Sequence, residues 1–588
     1  MSIARPVPLL ASIKSRVSGL RATGWSRIIN TWRQHEEDRE QRGAGRPQCT
    51  ANRAAQHRAL AIATLWCASI QAGSRRARKR GVIMKARLLL PRAGTVMPRL
   101  AIAQRCLVAL IGMLLQVSTA MAGPWLNADD IRLRHDLLLL ADAGLISAPL
   151  TSWPIPVGDI AQGLQEVKTE SLTSDALRGA YERVQEILRR ESVRNVVAAH
   201  ARLAATNEPT AFRGFAELQR EQIEATAGIA WQGEAAYYRL DATAVAKPDD
   251  DKPLRGDGSY LGTQWGNWLF SAAAVDRWWG PGWNGSLILS SNARPVPALV
   301  VQRNQSTAFE TPLLHWLGPW QFIFMMGRLD GEATIPYAQL MGMRLNLKPI
   351  PALEIGFSRT AQWGGEGRPN DFSTFLDVLF GRDNLGDNGT TTANEPGNQL
   401  AGVDFRWASP LFTLPYAVYG QLIGEDLASG TWLAWPSKNI GLAGLEIWHS
   451  GSHGRESGRL YIEYADTAAE FYRSTPAYNT AYEHHIYTSG YRYYDLCLGH
   501  SMCGDGRMTT VGYVRVAASG NMWEAVLRKV EPDRDAAPAR TVLEAGLTYT
   551  LVKGPDRYVV GAGFDRNWVA GAGDSLEGRV GLQWRRNF

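Results

Sequence analysis

The stretch Arg459-Leu-Tyr-Ile-Glu-Tyr464 sets Leu460, Ile462 and Tyr464 on one face of an extended chain and Arg459, Tyr461 and Glu463 on the other. One face is oily and the other carries charge. The same rhythm returns at Met343, Leu345 and Leu347 against Arg344, Asn346 and Lys348, and at Leu353, Ile355 and Phe357 against Glu354, Gly356 and Ser358. Val403, Phe405 and Trp407 alternate with Asp404 and Arg406, and Leu543, Ala545, Leu547, Tyr549 and Leu551 with Glu544, Gly546, Thr548 and Thr550. The final segment, Arg579 to Phe588, alternates through Val580, Leu582 and Trp584 and stops at a C-terminal Phe, the ending typical of bacterial outer-membrane barrels. Arg586 interrupts its apolar face and is expected at the interfacial edge.

A soluble sandwich also alternates with period two, so the rhythm alone does not fix the environment. Strands of about ten residues, Trp and Tyr near their ends, and polar residues opposite the apolar face together point to a barrel in lipid. There every backbone amide needs an internal partner, which strands obtain only by closing the sheet. Residues 209–588, at roughly 20 residues per strand and connection, predict an all-β transmembrane barrel of about 18 antiparallel strands.

Working toward the N-terminus, residues 123–208 change to helical periodicity. Asn127 or Asp129 can cap a helix through Ile131, Leu133, Leu137 and Leu140 that ends near Gly144. Pro154 and Pro156 break the chain, a second helix fits Gly158 to Val167, and a third starts at Ser174. These form a small helical subdomain, expected in the periplasm. Residues 97–122 read as a signal peptide: Arg99 and Arg105, an apolar run from Cys106 to Val117, and the small-residue ending Ala120-Met121-Ala122. Residues 1–96 are read as a non-native upstream extension, expected to be disordered.

The chain has 588 residues and a formal charge of +7. Residues 1–122 hold 21 Lys and Arg against 4 Asp and Glu, which leaves 42 basic and 52 acidic residues, a formal −10, in residues 123–588. Nucleic acid is therefore not an expected partner. No uncharged apolar run outside the signal reaches the roughly 18 residues of a membrane-spanning helix. Cys497 and Cys503 are the only cysteines after residue 122, and in an oxidising compartment they suggest a loop-clamping disulfide. With His500 between them a metal site is the alternative, but the ligand set is incomplete.

The segments between strands are rich in Gly and aromatics. They include Trp278-Trp-Gly-Pro-Gly282, Gln362-Trp-Gly-Gly-Glu-Gly-Arg-Pro369, Glu395-Pro-Gly-Asn-Gln-Leu-Ala-Gly402, Gly424-Glu-Asp426 and His484-His-Ile-Tyr487. Together these phrases resemble the Wzi family of capsule-assembly proteins, from about Trp125 to Phe588. The Cys497/Cys503 pair is not part of that pattern. The resemblance implies an outer-membrane barrel with a periplasmic helical subdomain that acts as a lectin, holding capsular or exopolysaccharide at the bacterial surface. Its expected partners are that polysaccharide, outer-membrane lipid and the capsule export machinery, with the protein a monomer.

The residue chemistry is compatible with that reading. Aromatic faces pack on sugar C–H surfaces, and amide, carboxylate and guanidinium groups bond hydroxyls. Trp278, Trp279, Trp283 and Trp363 are candidates for the first role, and Glu366, Arg368, Asn398 and Gln399 for the second, with Arg368 also suited to a uronate. His484, His485 and Tyr487 complete the candidates. Each has a plainer reading: the Trp-rich loop as an aromatic girdle or plug, Trp363 to Pro369 as a tightly folded plug loop, and the histidines as hydrogen-bonding loop residues rather than metal ligands. Glu425 and Asp426 invite an acid/base role but also fit a solvated loop or lumenal ion pair. With neither G-x-S-x-G nor H-E-x-x-H in the sequence, no catalytic residue, metal or cofactor is assigned. An open porin or polysaccharide channel is the main rival reading, and an outer-membrane hydrolase the lesser one.

Overall fold

In the computed structural model the described residues are 123–588, apart from 216–218, 381–396, 410–413, 428–435 and 451–453. Expectations for residues 1–122 lie outside them. The alternating segments form one sheet that closes on itself, each strand antiparallel to its neighbours. Closure is made by the first strand, Val197–Thr206, against the last, Gly573–Asn587, in a ladder from Gly581↔Thr206 to Asn587↔His200. Leu254–Arg255 and Tyr260–Trp265 both pair with Ala236–Ala246 and form one interrupted strand, so the described barrel has eighteen. It begins at Val197 rather than at the expected residue 209. The segment from Val197 is rich in Ala and short of large apolar residues, so its period of two is weak in the sequence.

The alternation resolves as inside and outside. Leu460, Ile462 and Tyr464 are exposed on the outer wall, whereas Arg459, Tyr461 and Glu463 are buried in the lumen. Arg344, Asn346, Lys348, Glu354 and Asp404 are buried in the same way. Aromatic pairs sit near one rim, where Trp231 stacks on Tyr238 and Trp523 packs on Tyr549. Connections at that rim are mostly tight, such as Lys553 to Asp556 and Ile350 to Leu353, while the opposite rim carries long loops, including residues 274–297 and 467–506.

Three helices pack at the tight-turn rim. Helix α1 (Ile131–Asp142) is capped by Asp130, whose side chain accepts from the Leu133 amide at 3.1 Å, rather than by Asn127 or Asp129. Helix α2 spans Val157–Gln165, and α3 (Asp175–Glu191) starts from Ser174 as the sequence predicts. They are joined to the barrel core: α1 is buried along most of its length, its polar Arg134, His135 and Asp136 included.

A further helical segment, Phe372–Phe380, lies against the outer wall and covers Met341, Ala361 and Trp363. Its last carbonyls, of Val378 and Leu379, accept from Arg359 at 2.5 and 2.8 Å. Arg359 lies on the outward phase of its strand, and the helix end gives its charge polar cover there. No helix among the described residues is long and apolar enough to cross a membrane.

Candidate functional site

The lumen is filled from both ends. Residues 144–156 enter from the helical end, and the Trp-rich loop enters from the long-loop end. They meet as a two-residue antiparallel ladder, Trp278↔Trp153 and Trp279↔Ser152. The wall then clamps each insert. Glu354 accepts from the backbone amides of Leu150 and Thr151, both at 2.9 Å, and Arg344 reaches Ser152 Oγ at 2.5 Å while paired with Asp404. Glu463 accepts from the amides of Trp283, Asn284 and Gly285 at 2.7, 3.1 and 2.8 Å and from the Tyr419 hydroxyl at 2.9 Å. One carboxylate thus holds a whole turn of backbone donors.

Trp283 shows how closely the two inserts interlock. Its ring stacks on Tyr461 at 5.3 Å, its indole N–H donates to Glu446 at 2.7 Å, and the Arg134 guanidinium of α1 lies 4.4 Å above it. Arg134 also donates to the Pro281 carbonyl at 2.6 Å. The wall leaves room for these aromatics with glycine: a Cβ on Gly512 would lie 2.0 Å from the Tyr461 ring, and one on Gly444 would lie 2.1 Å from Tyr419. At the end of α1, Asp142 pairs with Arg406 at 2.7 Å and Arg459 at 3.0 Å, and both arginines also pair with Glu446.

These contacts divide the candidate residues predicted from sequence. Trp278, Trp279 and Trp283 are fully buried in the plug. They satisfy the plug reading, and none presents a face to the outside. Trp363 points to the outer wall beneath the Phe372–Phe380 helix. Gln399 turns the same way and accepts from Arg359, whereas Asn398 turns inward and donates to Gln362 Oε1 at 2.8 Å. Glu425 accepts from the Tyr482 amide at 2.5 Å, which makes it a loop anchor. The structure places the remaining candidates at the long-loop mouth. Tyr487, buried, donates its hydroxyl to the Gly364 carbonyl at 3.1 Å and so ties the Trp363–Pro369 loop to the His484–Tyr487 loop. Around this tie Glu366 and His485 are exposed, Arg368 and His484 are half-buried, and the two imidazoles stack at 4.6 Å.

Cys497 and Cys503 form a disulfide, with Cα atoms 5.5 Å apart. His500 between them is buried against Gly285, and burial pushes its pKa down to about 3, with the positive Arg528 adding to the fall. Its Nδ1 accepts from the Met502 amide at 3.2 Å. Among the described residues no group of three His, Cys, Asp or Glu side chains could hold a metal ion.

No motif in the sequence marks the far side of the lumen. Its wall is formed by the last strands, where Gly546, Gly561 and Gly581 fall on the inward phase. The available signal was glycine, where other strands carry a polar residue.

A closed antiparallel barrel with an apolar outer wall and a lumen occupied by its own loops and helices defines a plugged outer-membrane β-barrel. Residues 192–570 match the family model described as capsule assembly protein Wzi, and the chain belongs to that family. The fold is similar to Wzi of Escherichia coli, described as an outer membrane protein involved in group 1 capsule assembly and as a carbohydrate binding beta-barrel. The TM-score is 0.67 and the identity 26%, over 79% of this chain and 99% of that one. An uncharacterized 55.8 kDa protein in the cps region of Klebsiella pneumoniae is 32% identical over 367 residues, 61% of this chain and 68% of the relative.

Proposed function

We propose that the protein is a non-enzymatic outer-membrane lectin that binds capsular or exopolysaccharide and anchors it at the cell surface during capsule assembly. The observation that carries this reading is the occluded lumen. A barrel whose Trp153 and Trp278 pair across its interior is built to hold a polymer rather than pass one. The carbohydrate binding of the E. coli relative supports the same reading. The long-loop rim faces outward and the helical rim lies in the periplasm, since short turns mark the periplasmic side of such barrels. Residues 97–122 act as the export signal, and residues 1–96 stand upstream of it. Glu366, Arg368, His484 and His485 at the mouth are the first polymer contacts, with the guanidinium suited to acidic sugars. The protein acts as a monomer held in outer-membrane lipid, close to the export machinery.

The test is direct binding of the detergent-purified protein to the surface polysaccharide of its own bacterium, together with deletion of the gene. Polymer still made but shed into the medium is the expected phenotype, and unchanged cell-bound polymer overturns the reading. Polysaccharide shortened on incubation with the protein would point to the hydrolase instead.

A further inference from the structure

The plug does not fill the lumen evenly. Between it and the wall made by the last strands lies a groove with an empty volume of about 920 Å³, counting its mouth, lined by Glu208 at the long-loop end, by Trp283 of the plug and by Tyr461 of the barrel wall. We infer that this groove is a sugar-binding subsite, taking one or two pyranose units from a chain end or side branch of the polymer. The inference rests on the lectin reading above and adds where the sugar is held.

Three observations carry it. The first is the floor. Gly546, Gly561 and Gly581 line the groove from strand interiors, where glycine weakens a sheet. None has a positive φ. A Cβ on Gly546 would meet nothing within 4 Å, and one on Gly561 or Gly581 would come no nearer than 3.6 Å to any atom. Gly444 and Gly512 make room for tyrosine rings, whereas a Cβ on any of these three would clash with nothing among the described residues. A glycine floor with open space above it suits the close approach of one face of a pyranose chair.

The second observation is an unused donor. Gln583 is only 6% exposed, and its Oε1 accepts from Arg202 at 3.1 Å, but its Nε2 has no partner among the described residues. A buried amide N–H without an acceptor is destabilising and calls for an explanation. A sugar hydroxyl in the groove would accept from it.

The third is the strand beside that floor, where Glu524 pairs in register with Thr548 and Val526 with Gly546. Glu524 projects into the groove with no hydrogen bond or ion pair among the described residues, ready to accept from a hydroxyl. Arg528 and Arg579 are committed to Glu544, at 2.6 and 2.7 Å, so neither offers a free cation to the groove. Donor, acceptor, aromatic edge and open floor together make a site of the kind that binds pyranoses.

The test compares wild type with Gly561→Leu and Gln583→Leu, each purified as the full-length protein in detergent, for binding to immobilised surface polysaccharide of the source bacterium. Closed-barrel mobility on unheated gels verifies folding. If the groove is the subsite, Gly561→Leu loses at least tenfold in affinity and Gln583→Leu several-fold. If either variant folds as a closed barrel and binds within twofold of wild type, while Arg368→Ala at the mouth abolishes binding, the groove inference is overturned and the lectin reading stands. If wild type itself does not bind, the lectin reading fails first.

Discussion

Trp153 of the helical end and Trp278 of the long-loop end are register partners inside the lumen, so two segments that enter from opposite rims share one short ladder. The closed state is therefore a joint product of both inserts and of the wall carboxylates that clamp them.

Wild-type protein in planar bilayers is expected to show no large steady current. Glu463→Ala leaves the amides of Trp283, Asn284 and Gly285 without their acceptor, at about 1–3 kcal/mol each. Flickering conductance in this variant, absent from wild type, is the expected record.

Asp142→Ala strands Arg406 and Arg459 with a single remaining carboxylate, that of Glu446. Removing one member of a buried ion cluster costs about 3–5 kcal/mol. Since Asp142 ends α1, the loss falls on the attachment of the helices. Limited proteolysis will cut within residues 123–191 faster than in wild type, before the barrel itself unfolds in urea.

Reducing the Cys497–Cys503 bridge, or replacing both residues with Ser, removes a short loop constraint worth about 2 kcal/mol in the chain-entropy picture. Denaturation in detergent with and without dithiothreitol measures it. The barrel should stay closed in both, because the bridge lies within one loop and crosses no strand pair.

His500 supplies a pH dependence. Its folded-state pKa, about 3, lies below the unfolded value of roughly 6.5, so the unfolded chain binds an extra proton between them. Its contribution is complete above pH 6.5 and declines as pH falls toward 3, by about 1.4 kcal/mol per unit. Buried His135, also held well below its ordinary value by burial, acts in the same direction. Melting at pH 7 and pH 5 should show a smaller acid shift in His500→Asn than in wild type.

Much of this was legible in the chain. The alternation around Leu460, Ile462 and Tyr464 gave the barrel, because inward and outward positions of a strand differ by a single residue and only one side meets lipid. The Ser174 cap and the Cys497/Cys503 pair were equally readable, being local. The start at Val197 was not, because small residues there satisfy both faces without a hydrophobic rhythm.

The candidate site was less legible. Trp278, Trp279 and Trp283 carry the composition of a sugar platform, but an indole's surroundings depend on segments far away in the chain: Ser152 and Trp153 beside the first two, Arg134 and Tyr461 against the third. Trp363 and Gln399 face outward for the same reason, each set by its strand's phase and by a helix laid over it.

By itself, then, the sequence determined a closed sheet with a wet inside and an oily outside, because period-two alternation and the need to pair every backbone amide in lipid leave no other solution. What fills that sheet was decided by the tertiary structure. Whether a loop rises into solvent or folds into the lumen depends on whether Glu354, Glu446 and Glu463 meet its donors there, and those partners lie up to 204 residues away.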